Sequence, residues 1–150
     1  MALWYVRGDA TQPIKRPAII AHICNNAGQW GAGFTMAISA RWPAPEKAYR
    51  AWSKERDFRL GDLLLVDVEK DVWVANMVAQ DNIRGVYPPV RYDALERCLD
   101  RLAHYAKALN ASVHMPRIGC GIGGGKWEEV ENLILETLPV APNVCVYDLP

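Results

Sequence analysis

Two stretches hold most of the chemistry-bearing spacing in this sequence: Cys24-Asn25-Asn26-Ala27-Gly28-Gln29-Trp30-Gly31-Ala32-Gly33 and Gly119-Cys120-Gly121-Ile122-Gly123-Gly124-Gly125. Each follows an apolar, β-rich run and precedes a helical pattern, so each reads as strand, glycine loop, helix. Glycine admits positive φ and lets the backbone approach a ligand closely. Unbonded N–H groups at a helix start add an anion nest that the helix dipole favours. Two such nests on one sheet edge are suited to gripping a diphosphate.

Neither loop fits the commoner nucleotide signatures. Gly119, Gly121 and Gly124 satisfy G-x-G-x-x-G, but a dinucleotide fingerprint opens a βαβ unit with an acidic residue about 20 positions on, and only one short strand follows here. Gly125-Lys126 resembles the end of a P-loop, yet Trp127 stands where a Ser or Thr would ligate magnesium and Cys120 replaces the first glycine. Hydride transfer and ATP hydrolysis are both disfavoured. For acid–base work the candidates are His22, ending the run into the first loop, and Asp81 in Ala79-Gln80-Asp81-Asn82. Each also has a plain structural reading, His22 as a hydrogen-bonded strand residue and Asp81 as a turn former. Asn25 and Gln80 exchange no protons but can orient a water or ribose hydroxyls. Cys24 and Cys120 have no activating base near them in the sequence.

Apolar runs over residues 3–6, 17–23, 63–68, 72–79, 112–115 and 144–147 predict six strands. Helical patterns cover 33–41, 46–56, 93–109 and 126–138. In 93–109, Leu95, Cys98, Leu99, Leu102, Ala106 and Leu109 recur at three-to-four spacing behind a capping box formed by Asp93 and Glu96. Only Glu69-Lys70-Asp71 separates the third and fourth strands, which predicts an antiparallel hairpin. Helical connections elsewhere imply a mostly parallel sheet covered on both faces. Ligands of such sheets gather at the carboxyl ends of the strands, where both glycine loops fall.

With 150 residues, 17 Lys+Arg against 17 Asp+Glu and 51% apolar residues, the expectation is one domain over 1–150, without repeat or linker. A chain of this length buries about 68–70% of its unfolded surface, so Cys24, Cys98, Cys120 and Cys145 read as free thiols and a reducing, cytoplasmic location fits best. Their spacing writes no zinc site, and neither a metal nor a cofactor is expected. No apolar stretch approaches the roughly 18 residues of a membrane span, so no membrane partner is expected. Zero net charge argues against a broad grip on nucleic acid.

The chain as a whole resembles the macrodomain family, the ADP-ribose-binding α/β/α module. Tyr5-Val6-Arg7-Gly8-Asp9-Ala10-Thr11 is similar to that family's first-strand signature ending in Gly-Asp, and both glycine loops fall where its phosphate and distal-ribose loops fall. His22-x-Cys24-Asn25-x-x-Gly28-x-Trp30-Gly31-x-Gly33 resembles the yeast ADP-ribose-1''-phosphate phosphatase group, and Pro116-Arg117-Ile118-Gly119-Cys120-Gly121 the terminal ADP-ribose protein glycohydrolases.

The resemblance implies a three-layer α/β/α domain with a mixed, mostly parallel six-stranded sheet. It implies that Asp9 accepts a hydrogen bond from the adenine amine beside the Ala10 backbone. Asn25, Gly31, Ala32, Gly33 and Phe34 would surround the distal ribose and one phosphate; Gly119, Cys120, Gly121, Ile122 and Gly123 would wrap the diphosphate from the other side. The glycohydrolases use a lysine after the hairpin's second strand and an aspartate in the second glycine loop, where this chain has Gln80 and Gly123. The phosphatase-like pattern needs a histidine and an acid; His22 matches the first and Asp81 lies near the second. The implied activity is hydrolysis of an ADP-ribose derivative, either a protein-linked ester on Asp or Glu or ADP-ribose-1''-phosphate. His22, Asn25 and Asp81 are the catalytic candidates and Gln80 is a substrate-binding one. The alternative is a reader that binds ADP-ribose or ADP-ribosylated protein without turnover. Gly123→Glu is expected to be tolerated better by the fold than by the site, with some stability lost as well if the φ of Gly123 is positive.

Overall fold

In the computed structural model, which describes residues 2–150, the chain runs β1 (Ala2–Arg7), β2 (Ala18–Asn25), α1 (Phe34–Arg41), α2 (Ala44–Trp52), β3 (Leu63–Glu69), β4 (Val72–Gln80), α3 (Tyr92–Leu109), β5 (Ser112–Met115), α4 (Trp127–Thr137) and β6 (Asn143–Asp148). The sheet order is β1-β6-β5-β2-β4-β3. Every neighbouring pair is parallel except β3 and β4. The hairpin therefore supplies one edge, and Asp71 closes its turn at φ 61, a left-handed conformation that Asp adopts more readily than most residues.

Successive side chains of β2 point to opposite faces, and both faces are apolar. Ile19 and Ala21 join Leu95, Leu99 and Leu102 of α3 and Val130 and Ile134 of α4 in the larger core. Ile20 packs with Ile38, Trp42, Val72 and Val74 on the other side. Leu95, Leu99 and Leu102 are fully buried, each contributing about 1.5–3 kcal/mol, so their stripe anchors α3 to the sheet. The result is the three-layer α/β/α arrangement, with the central strands read from their continuous apolar runs.

Two helix starts differ from expectation. The capping box at Asp93 and Glu96 does not form: α3 begins at Tyr92, its N-cap is Arg91, and no side chain caps it. The Arg91 N–H donates to Ala79 O at 2.8 Å and Gln80 bridges Val90, so the chain stays extended against β4 up to Arg91. Asp93 lies inside the first turn, where a carboxylate still favours the helix dipole. In α2 the helix starts at Ala44, because proline is tolerated in a first turn, and ends at Trp52. Trp52 then stacks edge-on against Phe58 at 5.0 Å as the chain turns back.

Candidate functional site

Because β2 and β5 are neighbours in the sheet, their carboxyl ends bring the two glycine loops side by side. Together they line a cavity of about 450 Å³, within the range of small-molecule sites. Gly33 precedes α1 at φ 66, a conformation costly for any other residue. The position its Cβ would take lies 3.6 Å from Ile122 Cδ1, so the loops meet across the cleft. Among the described residues, the N–H groups of Ala32, Gly33, Gly121, Ile122 and Gly123 donate to no group of the chain, whereas Gly125 N–H is engaged by Gly119 O at 2.7 Å. Free donors on two facing loops of the cavity, those of Ala32 and Gly33 just before α1, form a paired anion nest.

Gly33, Phe34 and Pro116 also line a second cavity of about 320 Å³, whose further walls are Gly8, Asp9, Ala10, Ala37, Tyr147 and Leu149. The shared walls make one cleft across the carboxyl edge of the sheet. Asp9 Oδ1 accepts from the Thr11 N–H at 2.8 Å and the Thr11 hydroxyl at 2.7 Å. Oδ2 has no partner among the described residues and is available to an incoming amine. Tyr147 is fixed by a buried relay: Ile14 N–H donates to its hydroxyl at 3.1 Å, which lies 2.7 Å from His114 Nδ1, and His114 Nε2 lies 2.8 Å from Ser112 Oγ. Ser112 donates onward to Pro17 O. Burial pulls the His114 pKa down to about 4, so the ring is neutral and serves as a spacer.

Of the three catalytic candidates, His22 and Asn25 line the cavity and Asp81 does not, and each is engaged by hydrogen bonds within the protein. His22 is 1% exposed, and its Nε2 lies 2.5 Å from Asn76 Oδ1. Asn76 Nδ2 donates to Pro45 O, so its oxygen faces the ring and the ring proton is assigned to Nε2. Nδ1 has no partner among the described residues. Trp30 stands edge-on to the ring at 5.4 Å, and burial lowers its pKa to about 4. His22 thus meets the cavity from beneath the first loop as a neutral ring. Asn25 shapes that loop: Nδ2 donates to Gln29 O at 2.7 Å, and Oδ1 accepts from Ala27 N–H at 2.9 Å and Tyr49 OH at 3.0 Å.

Asp81 lies off the cavity wall. Its buried carboxylate accepts from Arg84 Nε at 2.7 Å, Asn26 Nδ2 at 3.1 Å and the N–H groups of Ile83 and Arg84. Those donors, Arg84 foremost, hold its pKa well below the usual carboxylate range. A saturated carboxylate of that kind is no general base, and the geometry does not bring it to His22; its role is the turn.

Gln80 does line the cavity, in a chain of amides: Gln80 Nε2 donates to Asn82 Oδ1 at 2.9 Å and Asn82 Nδ2 to Gln29 Oε1 at 3.3 Å. Cys120 turns away from the cavity to pack against the larger core, and burial raises its thiol pKa. Cys24, 3.8 Å from His22 Nε2, is raised further. The expectation for Gly123 is corrected as well. Its Cβ would lie 2.8 Å from Gly119 O and 3.2 Å from Gln80 Oε1, so a side chain there breaks the loop itself, whereas Gly121 faces open space. Among the described residues no group of three His, Cys, Asp or Glu is placed to hold a metal ion, and no helix is long and apolar enough to cross a membrane.

Sequence reasoning missed Gln29, Asn82, Tyr147, Leu149 and Arg117. Tyr147 and Leu149 sit at or just beyond the end of β6, so the carboxyl-end rule applied to the last strand would have found them. Arg117 donates to both Asp148 oxygens, at 2.7 and 3.0 Å, with its guanidinium 5.1 Å from the Tyr5 ring and 5.2 Å from that of Trp127. Asp148 O in turn accepts from Gly8 N–H at 2.8 Å. One side chain thereby ties the root of the second loop to the strand end that leads to Asp9.

A sandwiched open sheet with two facing backbone nests on its carboxyl edge defines a class of nucleotide-phosphate-binding α/β/α domains. The Macro domain family matches over residues 21–134, and the chain belongs to that family. A mouse protein named Chromodomain-helicase-DNA-binding protein 1-like is 37% identical over 89% of this chain, which spans only 16% of that protein's length. The ADP-ribose 1''-phosphate phosphatase of Lodderomyces elongisporus is 28% identical over 99% of this chain and 100% of its own length. The DNA ADP-ribosyl glycohydrolase of Mycobacterium tuberculosis is 26% identical over 83% of this chain and 36% of its own. A solved structure of a Bacteroides thetaiotaomicron protein of unknown function is 48% identical, with TM-score 0.92, over 99% of this chain and 98% of that one.

Proposed function

We propose that this chain binds ADP-ribose along the cleft and releases it from a carboxylate ester of a modified protein. Adenine occupies the apolar chamber with its amine on Asp9 Oδ2 and its ring beside Ala10. The diphosphate lies on the nest of Ala32, Gly33 and Phe34 on one side, with Gly31 beside it held by Thr35 Oγ1, and on Gly119, Gly121, Ile122 and Gly123 on the other, and the distal ribose faces Gln80 and Asn82. The observation that carries the reading is the junction of the two chambers at Gly33, Phe34 and Pro116. A ligand with a purine at one end and a diphosphate in its middle suits both halves at once. The names of two relatives, an ADP-ribose 1''-phosphate phosphatase and a DNA ADP-ribosyl glycohydrolase, support an ADP-ribose derivative as substrate.

An ester suits a wall that offers amides and backbone N–H groups in place of a free acid–base pair. Water adds at C1'' of the distal ribose, the C1''–O bond breaks, the carboxylate departs with the bonding pair, and the water's proton passes to solvent. A carboxylate leaves without help from a protein acid. The chain's part is orientation of the ribose and the water by Gln80 and Asn82, with electrostatic support from the nests. A second reading, binding without turnover, is favoured by the engagement of Asn25 and Asp81 in loop structure.

Calorimetry with ADP-ribose and AMP tests the cleft. AMP is expected to bind at least about tenfold more weakly, a difference of about 1.4 kcal/mol, because only the diphosphate bridges both nests; equal affinities would remove the assignment. Mass spectrometry then follows release from Asp/Glu-modified protein, Ser-modified protein, ADP-ribosylated DNA and ADP-ribose-1''-phosphate, each with and without EDTA. Release from the Asp/Glu ester, unchanged by EDTA, is expected. Tight binding with no release from any substrate decides for the reader.

A further inference from the structure

We propose that the exposed ridge from Asn82 to Tyr87 is the docking surface for the protein that carries the ADP-ribose, and that it selects an extended segment bearing carboxylates and aliphatic side chains. The proposal rests on the ligand reading above and adds the carrier to it. Gln80 and Asn82 line the cavity, and the ligand reading sets the distal ribose against them, so a group attached at that ribose leaves past residue 82. Immediately beyond, Ile83 is 68% exposed, Val86 54% and Tyr87 80%, and Ile122 on the second loop is 62% exposed. A single exposed apolar residue is ordinary. Ile83, Val86 and Tyr87 follow the cavity-lining Asn82 in the chain, Tyr87 lies against Gly124 of the second loop, and Ile122 lines the cavity itself; exposed apolar side chains gathered in this way mark an interaction site.

The ridge is braced from beneath. The saturated Asp81 carboxylate ties residues 81–84 to Asn26, Asp81 N–H donates to Pro89 O at 2.8 Å, and Val90 N–H to Gly123 O at 3.1 Å. The Arg91 guanidinium donates to Pro88 O at 2.6 Å and reaches Val86 O at 3.5 Å. The Tyr87 hydroxyl lies 2.9 Å from where a Gly124 Cβ would stand, so the ring rests on the second loop. A surface held in place loses little conformational freedom on docking. This gives the buried Asp81 a use that the chemistry does not.

Charge sets the kind of carrier. Residues 82–92 include Arg84 and Arg91 and no acidic residue. Arg84 faces Asp81, while Arg91 and Lys126, which follows Gly125, form no ion pair among the described residues. Carboxylates flanking a modified Asp or Glu would meet the exposed Lys126, with Arg91 adding its charge from beneath the ridge, and aliphatic neighbours would meet Ile83, Val86 and Ile122. A nucleic-acid carrier would call for a cationic track interleaved with aromatic rings; here three of the four displayed side chains are aliphatic.

The test uses the full chain and Ile83→Ser/Val86→Ser, a double variant outside the cavity wall and away from Gly124. Displacement of a fluorescent ADP-ribose, read at times shorter than release, gives affinities for free ADP-ribose, a Glu-ADP-ribosylated acidic peptide and an ADP-ribosylated oligonucleotide. The parent is expected to bind the modified peptide about fivefold or more tighter than free ADP-ribose, and the variant to lose that difference while its affinity for free ADP-ribose stays within about twofold. Equal parent affinities for peptide and free ligand, or equal losses on both in the variant, would overturn the ridge. A variant that loses the oligonucleotide and not the peptide would reassign the carrier to nucleic acid and overturn it too. A parent that fails to bind ADP-ribose at all strikes the underlying reading instead.

Discussion

At the residue scale, Asp9 separates recognition from structure because its two carboxylate oxygens do different work. Oδ1 holds Thr11 and Oδ2 is free for the ligand. Asp9→Ala is expected to weaken adenine-containing ligands by about 1–3 kcal/mol, measured by calorimetry. Asp9→Asn keeps an acceptor for Thr11 but turns an amide N–H toward the adenine amine, so it should lose similar affinity with less effect on melting. An unchanged ADP-ribose affinity in both variants would return Asp9 to a plain strand-end residue. The types of His22 and Asp81 were legible as proton carriers, but their occupation was not. Asn76 stands 54 positions from His22, and Asn26 stands 55 from Asp81.

At the scale of the element, the second glycine loop holds two glycines with opposite constraints. A methyl placed on Gly121 would have nothing within 4 Å, while a methyl on Gly123 would meet the Gly119 carbonyl. Gly121→Glu should therefore keep the parent's melting temperature and lose ADP-ribose. A carboxylate at roughly 4 Å from a phosphate costs about 1 kcal/mol in water and about 4 kcal/mol at an effective dielectric near 20. Gly123→Ala should lower both stability and binding, since the loop must open to admit the methyl. Thermal melts run beside calorimetry distinguish the two; a folded Gly121→Glu that binds like the parent would remove the diphosphate from this loop.

For the whole molecule, pH is the informative variable, because two histidines are buried as neutral rings. Burial lowers both His22 and His114 to about 4, against roughly 6.5 in an unfolded chain. Between those values the unfolded chain takes up protons that the fold excludes, so stability is complete above about pH 6.5 and falls as the pH drops toward 4. At pH 5 the loss is about 2 kcal/mol per ring. Asp81, lowered by its donors, contributes stability above the ordinary carboxylate range that is lost on further acidification. Urea midpoints at pH 7 and pH 5 should differ accordingly; a flat profile would mean that these rings are solvated in the fold.

What the amino-acid order by itself determined was local. Apolar runs of strand length, three-to-four spacing and glycine clusters reflect backbone sterics and period over a few residues, so six strands, four helices and both loops could be located from them. Beyond the β3–β4 hairpin, which strands are neighbours could not. The pairing of β2 with β5, Ala18 opposite Ser112, places both nests on one cavity, and nothing near either loop in the sequence encodes it. Tertiary structure alone likewise decided that Asp81 is saturated and that Gly123 has no room. Each depends on atoms brought together by burial of the whole sheet between its helices, because desolvation and hydrogen-bond satisfaction are settled only when distant segments share one interior.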